Sequence, residues 1–328
     1  MCAMQPVKAD YHALMSLVIF ITGILVVGAL LAPPLFFATQ ALIQSHPDGA
    51  IANLLAKKEF PSYFNRAAML AAFIGLVPLL RSLKLSWSAI AGDVAARRGW
   101  KQLLCGILFA LAGILIMAWV CLETQACRMK PDPAWSGWVL PVVSGLTVAT
   151  LEEILFRGAI LGILCHSLGT RRGLWWTTGL FALVHFLKPP VDGAIAAADV
   201  TWSSGFWVIT QLFRGFSAWN NFVGEFLLLA AVGWALAEAR LKSNGLWWSI
   251  GLHAGWVMGM KYFGQIVKTT PALRDGDLAP WMVRNTCKSI VSPIVGIVPV
   301  LAVLLTAIAA LWWLRGRSGE KAIASSPK

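Results

Sequence analysis

Long apolar runs separated by short polar connections dominate the pattern of this chain. Eight of the runs are long enough to cross about 30 Å of hydrocarbon as helices. Their approximate limits are 14–37, 66–82, 102–122, 139–166, 174–188, 219–238, 246–263 and 292–314. Since only helices and closed barrels satisfy their backbone in lipid, the pattern predicts an all-α, polytopic membrane helical bundle of about eight transmembrane helices.

One apolar and aromatic segment, residues 202–218, does not fit this pattern. Gly205, Arg214 and Gly215 interrupt it. Interrupted apolar segments are typical of helices that lie at the interface or re-enter the bundle. We expect such a short helix here, with a ninth span as the alternative.

The charged residues indicate orientation rather than a nucleic acid partner. The chain has 27 Lys and Arg against 15 Asp and Glu, for a net charge of +12, but the bases lie in short clusters between apolar runs. Bases in short loops are topology determinants and contact lipid headgroups. They predict a multi-pass integral membrane protein with cytoplasmic termini, in the inner membrane if the host is bacterial. Tryptophan pairs at 175–176, 247–248 and 312–313 predict an aromatic belt on the same side.

The six cysteines show no CxxC spacing, so neither a zinc knuckle nor a redox motif is expected. In the predicted topology, Cys127 and Cys287 lie in loops on the opposite, oxidising side. A disulfide between them and two free thiols are both consistent with the sequence.

The stretch LEEILFRG, residues 151–158, places three charges inside an apolar helix. Charges in hydrocarbon are costly, so a span that keeps them needs a reason. Glu153 and Arg157 stand at i and i+4 and can neutralise each other, whereas Glu152 is turned about 100° away. A second carboxylate only adds cost to a locking ion pair, which favours a chemical role for Glu152 over a purely structural one.

Two histidines lie inside other spans at a similar depth. His185 is about 11 residues into its run and His253 about seven into its own, while Glu152 lies about 14 residues from the same side. Each histidine alone is typical of a packing residue. Together with Glu152 they are the usual parts of a general base, a proton shuttle and an oxyanion donor. They could equally be three ligands of zinc or another divalent metal with water in the fourth position, although no HExxH motif is present.

The same residues resemble the motifs of a known family. EEILFR resembles EExxxR, FALVH from Phe181 to His185 resembles FxxxH, and His253 opens the third motif. Their order and spacing are similar to those of the CPBP family. This family comprises the type II CAAX prenyl endopeptidases and their bacterial relatives, including the bacteriocin-immunity (Abi) proteins.

The resemblance implies a domain division and a set of roles. Residues 139–263 would form the catalytic core, with helices 1–3 and their loops in 1–138, and a loop, the last span and a basic tail in 264–328. Glu152 would activate water, His185 would assist it and His253 would stabilise the oxyanion. Glu153 with Arg157 would hold the motif helix, and Phe181 would have a positioning role.

One position departs from the family pattern. The third motif usually has asparagine four residues after its histidine, and here that position is Val257. An apolar side chain cannot donate to an oxyanion. Asn221, beside Asn220, and Glu225 enter the sixth span and are auxiliary candidates. Helix capping by the asparagines and an interhelical hydrogen bond from Glu225 are the alternatives.

The first functional hypothesis is therefore an intramembrane endopeptidase, glutamate-type or metal-dependent, acting on a membrane-associated peptide or protein. The Val257 departure supports a second hypothesis, a non-catalytic immunity factor or scaffold of the same fold. A proton-coupled transporter would also need a buried glutamate and histidines. It is less well supported because the sequence lacks clear inverted repeats and paired broken helices.

Overall fold

A computed structural model describes residues 10–56, 58–86, 90–92, 96–187, 195–212, 219–285 and 292–324. Helices dominate these ranges, and two short antiparallel two-stranded sheets lie at helix ends. The helices are α1 (Tyr11–Ser45), α2 (Ala50–Leu55), α3 (Phe60–Ser82), α4 (Ala96–Glu123), α5 (Val139–Glu153), a π-helical segment (Ile154–Ile160), α6 (Leu161–Leu168), α7 (Thr170–Val184), a 3₁₀ turn (Ala197–Asp199), α8 (Ser204–Gln211), α9 (Trp219–Ser243), α10 (Trp247–Ile266), α11 (Pro271–Asp275) and α12 (Ile297–Ala324). The strands are β1 (Cys127–Met129), β2 (Val267–Thr269), β3 (Val283–Arg284) and β4 (Ile294–Val295).

A helix lies at each of the eight predicted spans, which confirms the polytopic helical bundle. Six of these helices, counted over the described residues, are long and apolar enough to cross a membrane. The other two, α7 and α10, carry His185 and His253. α10 can be more polar because neighbouring helices rather than lipid surround most of it, and α7 has only 15 residues.

Small residues bring α10 close to α4. Gly251 lies against the backbone of Leu103, and Gly255 lies against that of Ile107. A side chain at either position would meet those backbones, so the helices can approach this closely only with glycine. The Gly-x-x-x-Gly spacing of α10 therefore builds the central helix pair of the bundle.

The two small sheets extend the packing beyond the helix ends on one side. β1 pairs with β2, with Cys127 opposite Thr269, so the ends of α4 and α10 are joined by strand hydrogen bonds. β3 pairs with β4 just before α12. On the same side, Lys261 of α10 donates a hydrogen bond to the Ser144 hydroxyl of α5.

The interrupted segment 202–218 forms a short helix rather than a ninth span. Among the described residues of this segment, α8 covers only eight residues. Gly205 packs against the carbonyl of Ala29, which lies in the middle of α1. Val208 and Leu212 are buried with residues of α1 and α3. The helix therefore enters the bundle, and residues 213–218 lie outside the described part.

The tryptophan prediction is only partly right. Trp175, Trp176 and Trp312 are exposed, as a belt requires. Trp248 is fully buried instead and stacks on Trp313 with ring centroids 5.2 Å apart. Its position at a span end did not reveal that α12 packs over this end of α10.

Candidate active site

The acidic pair lies where an α-helix changes to a π-helix. Glu152 and Glu153 end α5, and the π segment that follows contains Arg157. A π turn widens the helix locally, and such turns are frequent at functional sites. The wider turn follows Glu153 directly, so the chain changes its winding at the residues that carry charge.

Glu153 is neutralised by two partners. Its Oε1 accepts a hydrogen bond from the Arg157 guanidinium at 3.0 Å and another from Nδ1 of His253 at 2.9 Å. The Arg157 side chain also donates to the carbonyl of Gly233 at 3.2 Å. The side chains of Glu153 and Arg157 are completely buried, so this network joins α5, the π segment, α9 and α10 without solvent.

The Phe181 ring packs beneath the guanidinium of Arg157. The Arg157 Cζ atom lies 4.1 Å from the ring centroid, which is a cation–π geometry. The same ring lies edge-on to His185 at 4.6 Å and to His253 at 6.1 Å between centroids. Phe181 therefore contacts the buried arginine and both histidines.

His185 stands at the end of a short helix. The 15 residues of α7 span only about 22 Å, which is shorter than the roughly 30 Å of a bilayer's hydrocarbon core. His185 follows its last residue, and Nδ1 lies 2.7 Å from the carbonyl of Phe181. A carbonyl only accepts, so Nδ1 carries the proton and Nε2 is left for other contacts.

Glu152 lies between the two histidines. Its Oε2 is 3.9 Å from Nε2 of His185 and 3.8 Å from Nε2 of His253. This oxygen is buried and has no hydrogen-bond partner, although the whole side chain is 24% exposed. A buried, unsatisfied carboxylate oxygen is costly unless a further group completes the site.

The ring nitrogens that face Glu152 have defined roles. In both rings Nδ1 donates, to a carbonyl in His185 and to a carboxylate in His253. A neutral ring therefore presents the lone pair of Nε2 toward Oε2. A water about 2.8 Å from Oε2 and from one Nε2 can donate a hydrogen bond to each. The angle between the two acceptors at the water oxygen is then about 85°.

Within the described part of the chain, no group of three or more His, Cys, Asp or Glu side chains is already arranged around an ion. The donor types nevertheless fit zinc, because in the neutral ring form Nε2 of His185 and Nε2 of His253 would present lone pairs beside the Glu152 carboxylate. These three side chains would hold such an ion, which would supply a metal-bound water.

Comparison with known families bears on this geometry. The family model of the type II CAAX prenyl endopeptidase Rce1-like family matches residues 133–259. The residues matched by this family model include Glu152, Glu153, Arg157, His185 and His253. The resemblance to the CPBP family is therefore confirmed. Comparisons with curated proteins and with solved structures gave no match.

Residues 133–259 are thus similar to a CAAX-protease-type membrane endopeptidase family, and the long apolar helices indicate an integral membrane protein. A bilayer environment and a membrane-associated substrate fit both observations. The structure brings Glu152, His185 and His253 to one point, as their depths predicted.

The structure describes the auxiliary candidates only in part. Val257 follows His253 by one turn of α10. Glu225 is fully buried on α9 and has a partner of its own. Asn221 belongs to α9, but its side chain lies outside the described residues.

Two site contacts were not expected from the sequence. One is the hydrogen bond between Glu153 and His253, and the other is the carbonyl of Gly233 that accepts from Arg157. The adjacency of the two glutamates could have indicated the first, because side chains about 100° apart on one helix can face the same neighbour. A backbone carbonyl leaves no signal in the sequence.

Proposed function

We propose that this protein is an intramembrane endopeptidase in which Glu152 activates the water that hydrolyses a peptide bond. The observation that carries the proposal is the unsatisfied Oε2 of Glu152, held between Nε2 of His185 and Nε2 of His253. One water between Oε2 and either Nε2 would lie within the hydrogen-bond reach that general base catalysis needs.

In the proposed first step, water lies between Oε2 of Glu152 and Nε2 of His185. Glu152 takes one proton as the water oxygen bonds to the carbonyl carbon of the substrate. His185 accepts a hydrogen bond from the second proton, and its own Nδ1 is fixed by the Phe181 carbonyl. The ring is thus held in one tautomer and one orientation, which orients the water.

His253 is proposed to stabilise the oxyanion of the tetrahedral intermediate. With a proton on each ring nitrogen, Nδ1 donates to Glu153 and Nε2 donates to the oxyanion. Charge counting supports this form. Two carboxylates and Arg157 carry a net charge of −1, and a protonated His253 makes the buried cluster neutral. The proton held by Glu152 then passes to the leaving amine.

Glu153 and Arg157 are proposed as positioning residues rather than as groups that touch the substrate. Both side chains are fully buried, and Glu153 reaches the reaction only through the far nitrogen of His253. Its part resembles that of a carboxylate that orients a catalytic histidine.

The decisive experiment is a cleavage assay on a library of membrane-tethered peptides with the purified protein, comparing wild type and Glu152→Gln. The change keeps the size of the side chain and removes the base, so we expect the rate to fall about 10³- to 10⁴-fold. Glu238→Gln is the matched control, since Glu238 pairs only with Lys242 at the surface and its loss should leave the rate unchanged.

Cleavage in ¹⁸O-labelled water tests the step itself. Attack by water places one ¹⁸O atom in the new carboxylate, even in a single turnover. A wild-type rate in Glu152→Gln would show that another group is the base. Loss of activity with a chelator, restored by added metal, would replace carboxylate-activated water with metal-activated water. A folded wild type that cleaves nothing in the library would favour the scaffold hypothesis.

A further inference from the structure

Two cysteines lie together at the end of the bundle where β1 pairs with β2, remote from Glu152. Cys121 is in the last turn of α4, and Cys127 begins β1. Their relative exposures are 0% and 3%. They belong to one apolar cluster that also contains Val267 of β2 and Ile294 of β4.

The turn between the two cysteines returns the chain onto the helix end. Gln125 adopts a left-handed conformation with φ 55°, and its amide bonds back to the carbonyl of Leu122. The Thr270 amide and hydroxyl then hold this turn through the carbonyls of Ala126 and Gln125. The reversal is therefore fixed from both sides.

The reversal brings both cysteine side chains into one buried cluster, although they are only six positions apart in the chain. The neighbouring Cys121 side chain lowers the pKa of the Cys127 thiol. The thiolate is the reactive form of cysteine, and two cysteines this close can react in succession with one oxidant disulfide.

We propose that Cys121 and Cys127 are a modification site at which the mature protein forms an intramolecular disulfide. The proposal changes the partner considered for Cys127. Cys287 lies outside the described residues, whereas Cys121 belongs to the same buried cluster as Cys127.

The oxidant is a disulfide, either of a protein oxidoreductase or of a small molecule such as glutathione disulfide. The Cys127 thiolate attacks one oxidant sulfur, forms a mixed disulfide and releases the first thiol. The Cys121 thiolate then attacks the Cys127 sulfur and releases the second thiol. Two protein thiols are oxidised and one disulfide is reduced to two thiols. Because both cysteines are buried in the folded protein, the exchange takes place before β1 pairs with β2.

The bond would connect the end of α4 covalently to β1. β1 pairs with β2, which directly follows α10, so the disulfide would stabilise the end of the helix pair to which His253 belongs. It contributes no group to the reaction. The inference therefore does not depend on the proposed proteolysis.

The test is a count of free thiols in one tryptic peptide. Full-length protein is isolated without reductant, denatured, labelled with N-ethylmaleimide and digested. Cleavage after Lys101 and Arg128 releases residues 102–128, which contain Cys105, Cys121 and Cys127. We expect one label on this peptide without reductant and three labels after reduction.

Other label counts overturn the proposal. Three labels without reductant would show two free thiols. Two labels, with the peptide crosslinked to residues 285–288, would assign the bond to Cys287 instead. In Cys121→Ser, Cys127 should become labelled, so that the peptide carries two labels without reductant.

Thermal stability gives an independent measurement. A disulfide that closes so short a loop should raise the melting temperature on the order of 5 °C. Wild-type protein prepared with reductant should therefore melt earlier than protein prepared without it, whereas Cys121→Ser and Cys127→Ser should melt alike under both conditions. A variant that does not fold leaves the label count on wild type decisive.

Discussion

Two polar regions meet at the end of α5, and adjacent glutamates separate them. The Glu153 region is closed, because one carboxylate oxygen accepts from both Arg157 and His253 within 3.0 Å. The Glu152 region is open, because its buried oxygen has no hydrogen bond and faces two imidazole nitrogens at nearly 4 Å. The same side chain at consecutive positions therefore has two different environments.

The difference separates holding from reacting. The Glu153 side chain is fully buried, so no substrate can reach it, although only one of its two oxygens is hydrogen-bonded. The Glu152 side chain is 24% exposed, so a water or a reacting group can approach its unpartnered oxygen and offset the cost of burying it. His253 belongs to both regions, since Nδ1 contacts Glu153 and Nε2 faces Glu152.

The largest expected effect on stability comes from Glu153→Gln. An unchanged free energy of unfolding in this variant would contradict the distinction between the Glu153 and Glu152 regions. The substitution leaves the buried Arg157 without its carboxylate. Breaking a buried ion pair on one side costs about 3–5 kcal/mol of unfolding free energy. Denaturation in mixed micelles, followed by tryptophan fluorescence, measures the loss.

Two controls accompany this measurement. Glu152→Gln should lower the unfolding free energy by less than about 1 kcal/mol, because it removes no hydrogen bond of the buried oxygen. Adding Arg157→Met to Glu153→Gln should recover part of the loss, since the unpaired charge is then gone. Equal destabilisation by the two glutamine variants would contradict the division into closed and open regions.

The sequence carried much of this arrangement and missed a defined part of it. The i, i+4 spacing of Glu153 and Arg157 predicted their ion pair, and the depths of Glu152, His185 and His253 predicted that they could meet. Local periodicity encodes both kinds of information. The pairing of His253 with Glu153 depends on the rotation of α10 against α5, which only tertiary packing sets.

Other features were missed for related reasons. The repeat of Gly251, Gly255 and Gly259 in α10 was a signal for close packing on α4, and it is readable in the sequence. The π turn after Glu153 and the two small sheets have no comparable signal in the sequence. They arise where helix ends meet neighbours that are distant in the chain.

Smaller effects on stability are expected from substitutions of the two histidines. His253 contacts both glutamates, whereas His185 contacts only Glu152 of the two, so the two variants should differ. His253→Ala removes a hydrogen bond to a buried charge, which is worth about 1.5–3 kcal/mol, and it should also reduce cleavage at least 10²-fold. His185→Ala should reduce cleavage to a similar extent but cost only about 1 kcal/mol in stability. Paired unfolding and cleavage measurements distinguish the two.

His253→Asn provides the matched variant. The asparagine amide can donate from near the position of Nδ1, but it has no group at the position of Nε2. We expect stability to recover toward wild type while cleavage stays low. Recovery of both would mean that Nε2 of His253 does not act in the reaction, and recovery of neither would mean that the hydrogen bond to Glu153 is not what holds the ring.

The smallest expected effect tests the ring that contacts both regions. Phe181→Leu keeps an apolar side chain but removes the aromatic face under Arg157, which should cost about 1 kcal/mol beyond the loss of buried area. Phe186→Leu is the control for area, because Phe186 is almost equally buried and its ring packs at a tilt against that of Phe222. The difference between the two unfolding free energies measures the cation–π contact together with the edge contacts of Phe181 to the two histidines. Since Phe181 holds no reacting atom, cleavage by Phe181→Leu should fall less than tenfold. A larger fall without a matching loss of stability would show that Phe181 orients His185 directly, and the closed region would then extend into the open one.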